Sequence, residues 1–174
     1  MNKTSKHFVA AIVTSFALSG LAHAAGPNDA QIAAIVVAAN QVDIEAGELA
    51  KTKASGKEVK EFAQRMIVDH TAVNKQAAAL VGKLKVKPEE NETSRALKAD
   101  GEKARARLSQ LSGAAFDKAY VDNEVTYHQA VLQAIDETLV PNASNAELKA
   151  LIVKVRPAID AHLQHAKQMQ AEMK

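Results

Sequence analysis

The sequence predicts an all-α domain made of two antiparallel helix hairpins joined by a long, partly helical crossover. Three observations carry that expectation. Apolar residues recur at the i, i+3, i+4, i+7 spacing of amphipathic helices, and β-branched runs at strand spacing are missing. Alanine is abundant, aromatic residues make up 3% of the chain and Trp is absent, which suits closely packed helices. Glycine is sparse and sits mostly at expected helix boundaries.

The N-terminus reads as a secretory signal over residues 1–24. Lys3 and Lys6 precede an apolar run from Phe8 to Leu21, which is too short for a good transmembrane span. Ala22-His23-Ala24 supplies the small residues of a cleavage site, so residues 25–174 form one mature, exported domain, expected in the periplasm. No later segment is apolar enough to span a bilayer. Of 22 Lys+Arg and 20 Asp+Glu, the signal removes Lys3 and Lys6 and no acid. The balanced charge that remains gives no basic field for nucleic acid or anionic membrane. With no cysteine, an exported fold must be held by its core or by a ligand.

The first helix is expected from Asp29 to Lys53. Asn28 and Gln31 form a capping pair, the stripe runs through Ile32, Ile35, Ala39, Val42, Ala46 and Leu49, and Ser55-Gly56 breaks it. The second helix, Gly56 to Leu84, opens on a Ser55-x-x-Glu58 capping box and carries Val59, Phe62, Met66, Val73, Ala77 and Leu80. So short a turn makes the two an antiparallel hairpin. Lys85 to Glu92, with Pro88, reads as a loop. Thr93 to Leu111 reads as a helical crossover with Leu97, Gly101, Ala104 and Leu108 on one face.

Ser112-Gly113 separates the crossover from a helix over Ala114 to Leu139, with Phe116, Tyr120, Tyr127, Val131 and Ile135 facing in. Pro141-Asn142 marks a turn. The last helix starts after Ser144, which pairs with Glu147 in a second capping box, and runs to Met173 with a kink expected at Pro157. Hairpin, crossover, hairpin is the ferritin-like plan of a four-helix bundle. An up-down bundle carrying a fifth helix is the alternative.

The polar residues on the apolar stripes are the candidate site. Beyond the signal the chain has four histidines, His70, His128, His162 and His165. Asp43 interrupts the middle of the first stripe and His70 the middle of the second. Counted from Gly56 they lie 13 residues back and 14 forward, so they are level in the hairpin. Glu124 and His128 are spaced i, i+4 on one side of the third stripe, with His128 nearer its edge. His162 points inward from the last helix. From Asn142, His128 is 14 back and His162 is 20 forward, a mismatch of roughly 9 Å. That register pairs His162 with Glu124. Asp69, Glu45 and His165 border the stripes as secondary candidates.

Imidazole and carboxylate groups are costly to bury unpartnered, so their convergence needs an explanation. One is a transition-metal site in the bundle core, for iron, zinc, copper or manganese, serving storage, buffering, detoxification or redox work. The other is a non-catalytic envelope protein that binds a protein partner through its helical surface. Its histidines are then satisfied structurally by Asp43, Glu124, Asp69 and the Tyr120 or Tyr127 hydroxyls. A third is a pH-responsive bundle whose buried histidines protonate at about pH 6. No phosphate-binding loop, nucleophile elbow or Cys nucleophile marks an enzyme.

Asp43-Ile-Glu-Ala-Gly-Glu-Leu-Ala50, Val59-Lys-Glu-Phe-Ala-Gln-Arg-Met-Ile-Val-Asp-His-Thr71, Phe116-Asp-Lys-Ala-Tyr-Val121, His128, and Pro157 with His162 resemble the family termed domain of unknown function 4142. The likeness extends over essentially the whole mature chain and is most specific at Phe-Ala-x-x-Met-x-x-Asp-His-Thr. It implies an exported bacterial ferritin-like bundle with no assigned reaction, and members are often labelled outer membrane proteins. The family pattern favours Glu where this chain has Asp43. Di-iron ferritin-like proteins carry Glu-x-x-His on two helices. This chain has Glu124-x-x-x-His128, and no Glu stands three residues before His70 or His162.

Overall fold

The computed structural model describes residues 26–173. The expected signal lies outside them. Helix α1 spans Asp29–Lys53 and α2 Lys57–Leu84. The Asn28 side chain accepts from the Gln31 amide at 2.9 Å and the Gln31 side chain accepts from the Asn28 amide at 3.2 Å, the reciprocal cap expected from the sequence. Only Ala54, Ser55 and Gly56 separate α1 from α2, so the two pack as an antiparallel hairpin.

The expected Ser55–Glu58 capping box does not form. Gly56 is the N-cap and has no side-chain cap. Instead Ser55 turns its hydroxyl and amide to Asp117, and Gly56 N–H donates to the same carboxylate at 2.8 Å. A buried carboxylate from a distant helix outcompetes the local Glu58, because it satisfies three donors of the turn at once.

Helix α3, Glu92–Ser109, begins with a reciprocal Asn91–Ser94 cap and returns along α1. Glu89 N–H donates to the Ala30 carbonyl at one end of α1, and Lys53 donates to the Ser109 carbonyl at the other. The two helices therefore run parallel. They approach closely at Gly101, where a Cβ would stand 2.7 Å from a Val42 methyl.

Helix α4 spans Gly113–Ala134 and continues through a π turn, Ile135–Leu139, into the short α5, Val140–Asn142. The sequence expectation of a turn at Pro141-Asn142 is thus corrected by about a turn of helix. Helix α6, Ala146–Glu172, follows after three residues and continues through Pro157. Its cap is Asn145, whose side chain accepts from the Glu147 and Leu148 amides, and not the expected Ser144. The Ser144 and Asn145 amides donate to the Asp29 carboxylate at 2.9 and 3.0 Å. This ties the α5–α6 turn to the start of α1.

The chain is all-α, with no strand among the described residues. The two hairpins, α1–α2 and α4–α6, enclose a core in which Ile32, Phe62, Met66, Phe116, Tyr120 and Met169 are fully buried. Burying one such large side chain stabilises the fold by about 1.5–3 kcal/mol. No helix among the described residues is long and apolar enough to cross a membrane.

Candidate metal centre

Four helices each deliver polar side chains to the middle of this core. Asn40 and Asp43 come from α1, His70 from α2, Glu124 and His128 from α4, and His162 from α6, all buried. The level expected for Asp43 and His70 is observed: His70 Nε2 lies 2.8 Å from Asp43 Oδ2. His128 Nε2 stands 3.3 Å from the same oxygen. The rings of His70, His128 and His162 form a triangle with centroids 5.4–5.8 Å apart. Each ring offers a nitrogen within 4.8 Å of the other two, and Asp43, Glu124 and His128 form a second such group.

The hydrogen bonds around the triangle assign each imidazole its tautomer. Asn40 Nδ2 donates to the Val36 carbonyl at 2.7 Å, which turns Oδ1 toward His70 Nδ1, also at 2.7 Å. His70 must therefore carry its proton on Nδ1. His128 Nδ1 lies 3.0 Å from the Glu124 carbonyl, an acceptor only, so it too is protonated there. His162 Nε2 donates to Asp69 Oδ2 at 2.9 Å. The remaining nitrogens, His70 Nε2, His128 Nε2 and His162 Nδ1, are buried and make no well-formed hydrogen bond, although the first two lie 2.8 and 3.3 Å from Asp43 Oδ2. The Asp43 oxygens and Glu124 Oε2 likewise make no well-formed hydrogen bond. An imidazole whose second N–H is held by a carbonyl or carboxylate is the arrangement that orients histidine toward a metal.

The carboxylates are held in opposite states. Burial and the adjacent Asp43 charge push Glu124 well above the ordinary carboxylate range. Burial would raise Asp43 too, but the adjacent His70, 2.8 Å away, with His128, outweighs it and holds Asp43 ionised. The pair thus shares one proton, on Glu124. Burial keeps His128 below its usual value. Burial likewise depresses His162, to about 4, against the opposing pull of Asp69. Burial, with the two carboxylates behind it, raises both Tyr120 and Tyr127 well above the ordinary phenol range. The site thus gathers three imidazoles around an ionised Asp43, a donor set suited to a cation.

The geometry corrects three sequence expectations. His128 is not at the edge of its stripe but fully buried between Asp43 and Glu124. It is level with His162, their centroids being 5.5 Å apart. The helix ends lie at Asn142 and Ala146, so the two histidines are 14 and 16 residues from them, a mismatch of about 3 Å. His162 accordingly pairs with Asp69 and not with Glu124. Of the secondary candidates, Asp69 acts through His162. Glu45 pairs with Arg105 of α3 at 2.5 Å. His165 stacks edge-on against Phe62 and lies 3.6 Å from Glu58. Tyr127 donates to the Ala39 carbonyl at 2.8 Å, while the buried Tyr120 hydroxyl has no partner. Asn40 escaped sequence reasoning, although its place three residues before Asp43 on an otherwise apolar stripe is the signal.

A search of curated proteins returned no match. Among solved structures the chain is similar to "CopM in the Cu(II)-bound form", with a TM-score of 0.67 at 18% identity, over 86% of this chain and 99% of that one. At that identity the likeness is one of fold. The family model described as "Domain of unknown function (DUF4142)" matches residues 17–169, and the chain belongs to that family.

Proposed function

We propose that this is an exported metal-binding protein whose core holds one divalent transition-metal ion through His70 Nε2, His128 Nε2, His162 Nδ1 and Asp43. The observation that carries the reading is the convergence of three buried imidazole nitrogens beside Asp43, each on a ring whose other nitrogen is tied to a fixed acceptor and none making a well-formed hydrogen bond. A closed structural network would have given each of them a well-formed partner, as His162 Nδ1 in particular lacks, since an unsatisfied buried polar group costs about 1–3 kcal/mol.

The spacing supports the same reading. Nitrogen and oxygen ligands about 2.0–2.1 Å from a tetrahedral ion lie about 3.3 Å from one another. Of the approaches to Asp43 Oδ2, that of His128 at 3.3 Å matches this value and that of His70 at 2.8 Å is shorter. Three imidazoles with one carboxylate suit zinc and copper better than manganese. The relative named in its Cu(II)-bound form makes copper the first metal to test. Glu124, held protonated, is a reserve ligand that binds only by losing its proton. Full burial leaves little room for a substrate at the ion, which favours holding metal over catalysis.

Untagged protein, stripped with chelator and titrated with Cu(II) and Zn(II), should take up one equivalent and melt at a higher temperature. His70→Ala, His128→Ala and His162→Ala should each abolish stoichiometric uptake. Absence of uptake by the wild type, with melting indifferent to chelator, would return the site to a purely structural role.

A further inference from the structure

Beside the histidine triangle lies a cavity of about 40 Å³. Five of its fifteen lining residues are polar: Asn40, Asp43, His70, Tyr127 and His128. These belong to the site or flank it. The other ten are Val, Ile, Leu or Ala, and all fifteen are buried or half-buried. Asn40 spends its amide on Val36 and His70, and Tyr127 its hydroxyl on Ala39. Among the polar lining residues, the side chains with buried atoms that make no well-formed hydrogen bond are Asp43, His70 and His128.

A buried water needs about 10–15 Å³ and two to four polar partners. The space suffices for more than one water, but only those three residues offer the partners. The aliphatic part of the lining, most of it from the α4–α6 hairpin, suits an occupant that needs no hydrogen bonds. Ile135 and Leu139, the first and last residues of the π turn, form part of its wall. Such turns are rare and often lie at functional sites, and Pro141, which has no N–H to continue the α-helical ladder, follows shortly after this one.

We propose that this cavity binds a small neutral apolar molecule of the size of dioxygen and presents it to the face of His70 and His128. Its consequence for a bound ion rests on the metal reading above. Occupancy of the cavity does not.

The test uses the full chain without metal, with xenon as probe and then dioxygen. In methyl NMR spectra, xenon should shift Val36, Val131, Ile135, Leu139 and Ile152 saturably. Exposed Val68 and Val153 should follow only the weak linear drift of surface groups. Dioxygen should broaden the same buried methyls preferentially, through its paramagnetism. Val155→Phe, which fills the cavity from α6, should remove the saturable shifts. Val131→Ile is the milder filling variant, and a loss in either folded variant supports the assignment. Uniform shifts, saturable shifts that survive in both variants, or water cross-peaks to the Ile135 and Leu139 methyls would overturn it. Metal titration of the same sample is read separately, so failure of one proposal is distinguishable from failure of the other.

Discussion

The side-chain oxygen of Asn40 stands 2.7 Å from Nδ1 of His70 and decides which nitrogen of that ring faces Asp43. Replacing it by a residue of similar volume that cannot accept, Asn40→Leu, leaves the Nδ1–H unsatisfied or flips the tautomer. Removing such an orienting partner typically lowers metal affinity by about 10- to 100-fold. The metal-free protein should also lose about 1–3 kcal/mol of stability. Competition titration against a chromophoric chelator measures the first effect and urea unfolding the second. Unchanged affinity would remove Asn40 from the site.

What was legible in the sequence is what local spacing controls. The bounds of α1 followed from Asn28, Gln31 and the Ser55-Gly56 break, and the level of Asp43 with His70 followed from a turn of three residues. The misread features depend on groups far apart in the chain. Ser55 and Ser144 both head a Ser-x-x-Glu pattern, but Asp117 claims the first, and at the second Asn145 caps α6 while Asp29 takes the Ser144 amide. The π turn has no periodic signature, and the count from Asn142 to His162 ran long because α6 starts only at Ala146, where Asn145 caps it. Asn40 passed unnoticed because its role is visible only once His70 is known to face it.

Glu124 is already neutral, so Glu124→Gln changes little in the metal-free protein. A loss below about 1 kcal/mol is expected from an isosteric change that alters no charge. The partner substitution, Asp43→Asn, removes a negative charge that raises Glu124, so the Glu124 carboxyl should titrate at lower pH. Side-chain carbonyl chemical shifts followed against pH report that movement directly. A loss of several kcal/mol in Glu124→Gln would mean that Glu124 is ionised.

Asp117 should be as important to stability as any site residue while leaving metal uptake intact. Its carboxylate accepts from the Ser55 amide, the Ser55 hydroxyl and the Gly56 amide. Asp117→Ala strands these donors at a buried turn and should cost about 2–4 kcal/mol. The fall in melting temperature should be large, with metal stoichiometry unchanged at a temperature where the variant is folded. A variant as stable as the wild type would show that water replaces the carboxylate without loss.

The metal-free protein should lose stability as pH falls from neutrality. Burial holds His162 at about 4 in the folded chain, against about 6.5 when unfolded. Between those values the unfolded chain binds the proton more readily, so the free energy of unfolding falls with decreasing pH. The slope is at most about 1.4 kcal/mol per pH unit for this one group. His128, depressed by burial, adds a slope of the same sign below its unfolded value. Glu124 opposes them: its raised folded value makes the folded chain the better proton binder above about 4.5, so its contribution weakens with rising pH. The histidine slopes act only below their unfolded value of about 6.5, so the loss in acid is expected between about 6.5 and 4.5, where two depressed histidines oppose one raised carboxyl. Asp43, ionised in the folded state, is lost only in stronger acid, as pH falls below its unfolded value of about 3.9. Urea midpoints measured with chelator between pH 7 and pH 4.5 test the sum, and His162→Gln should flatten the curve. A flat profile in the wild type would mean that His162 is protonated in the fold, paired with Asp69 as an ion pair and no longer a free donor to a metal.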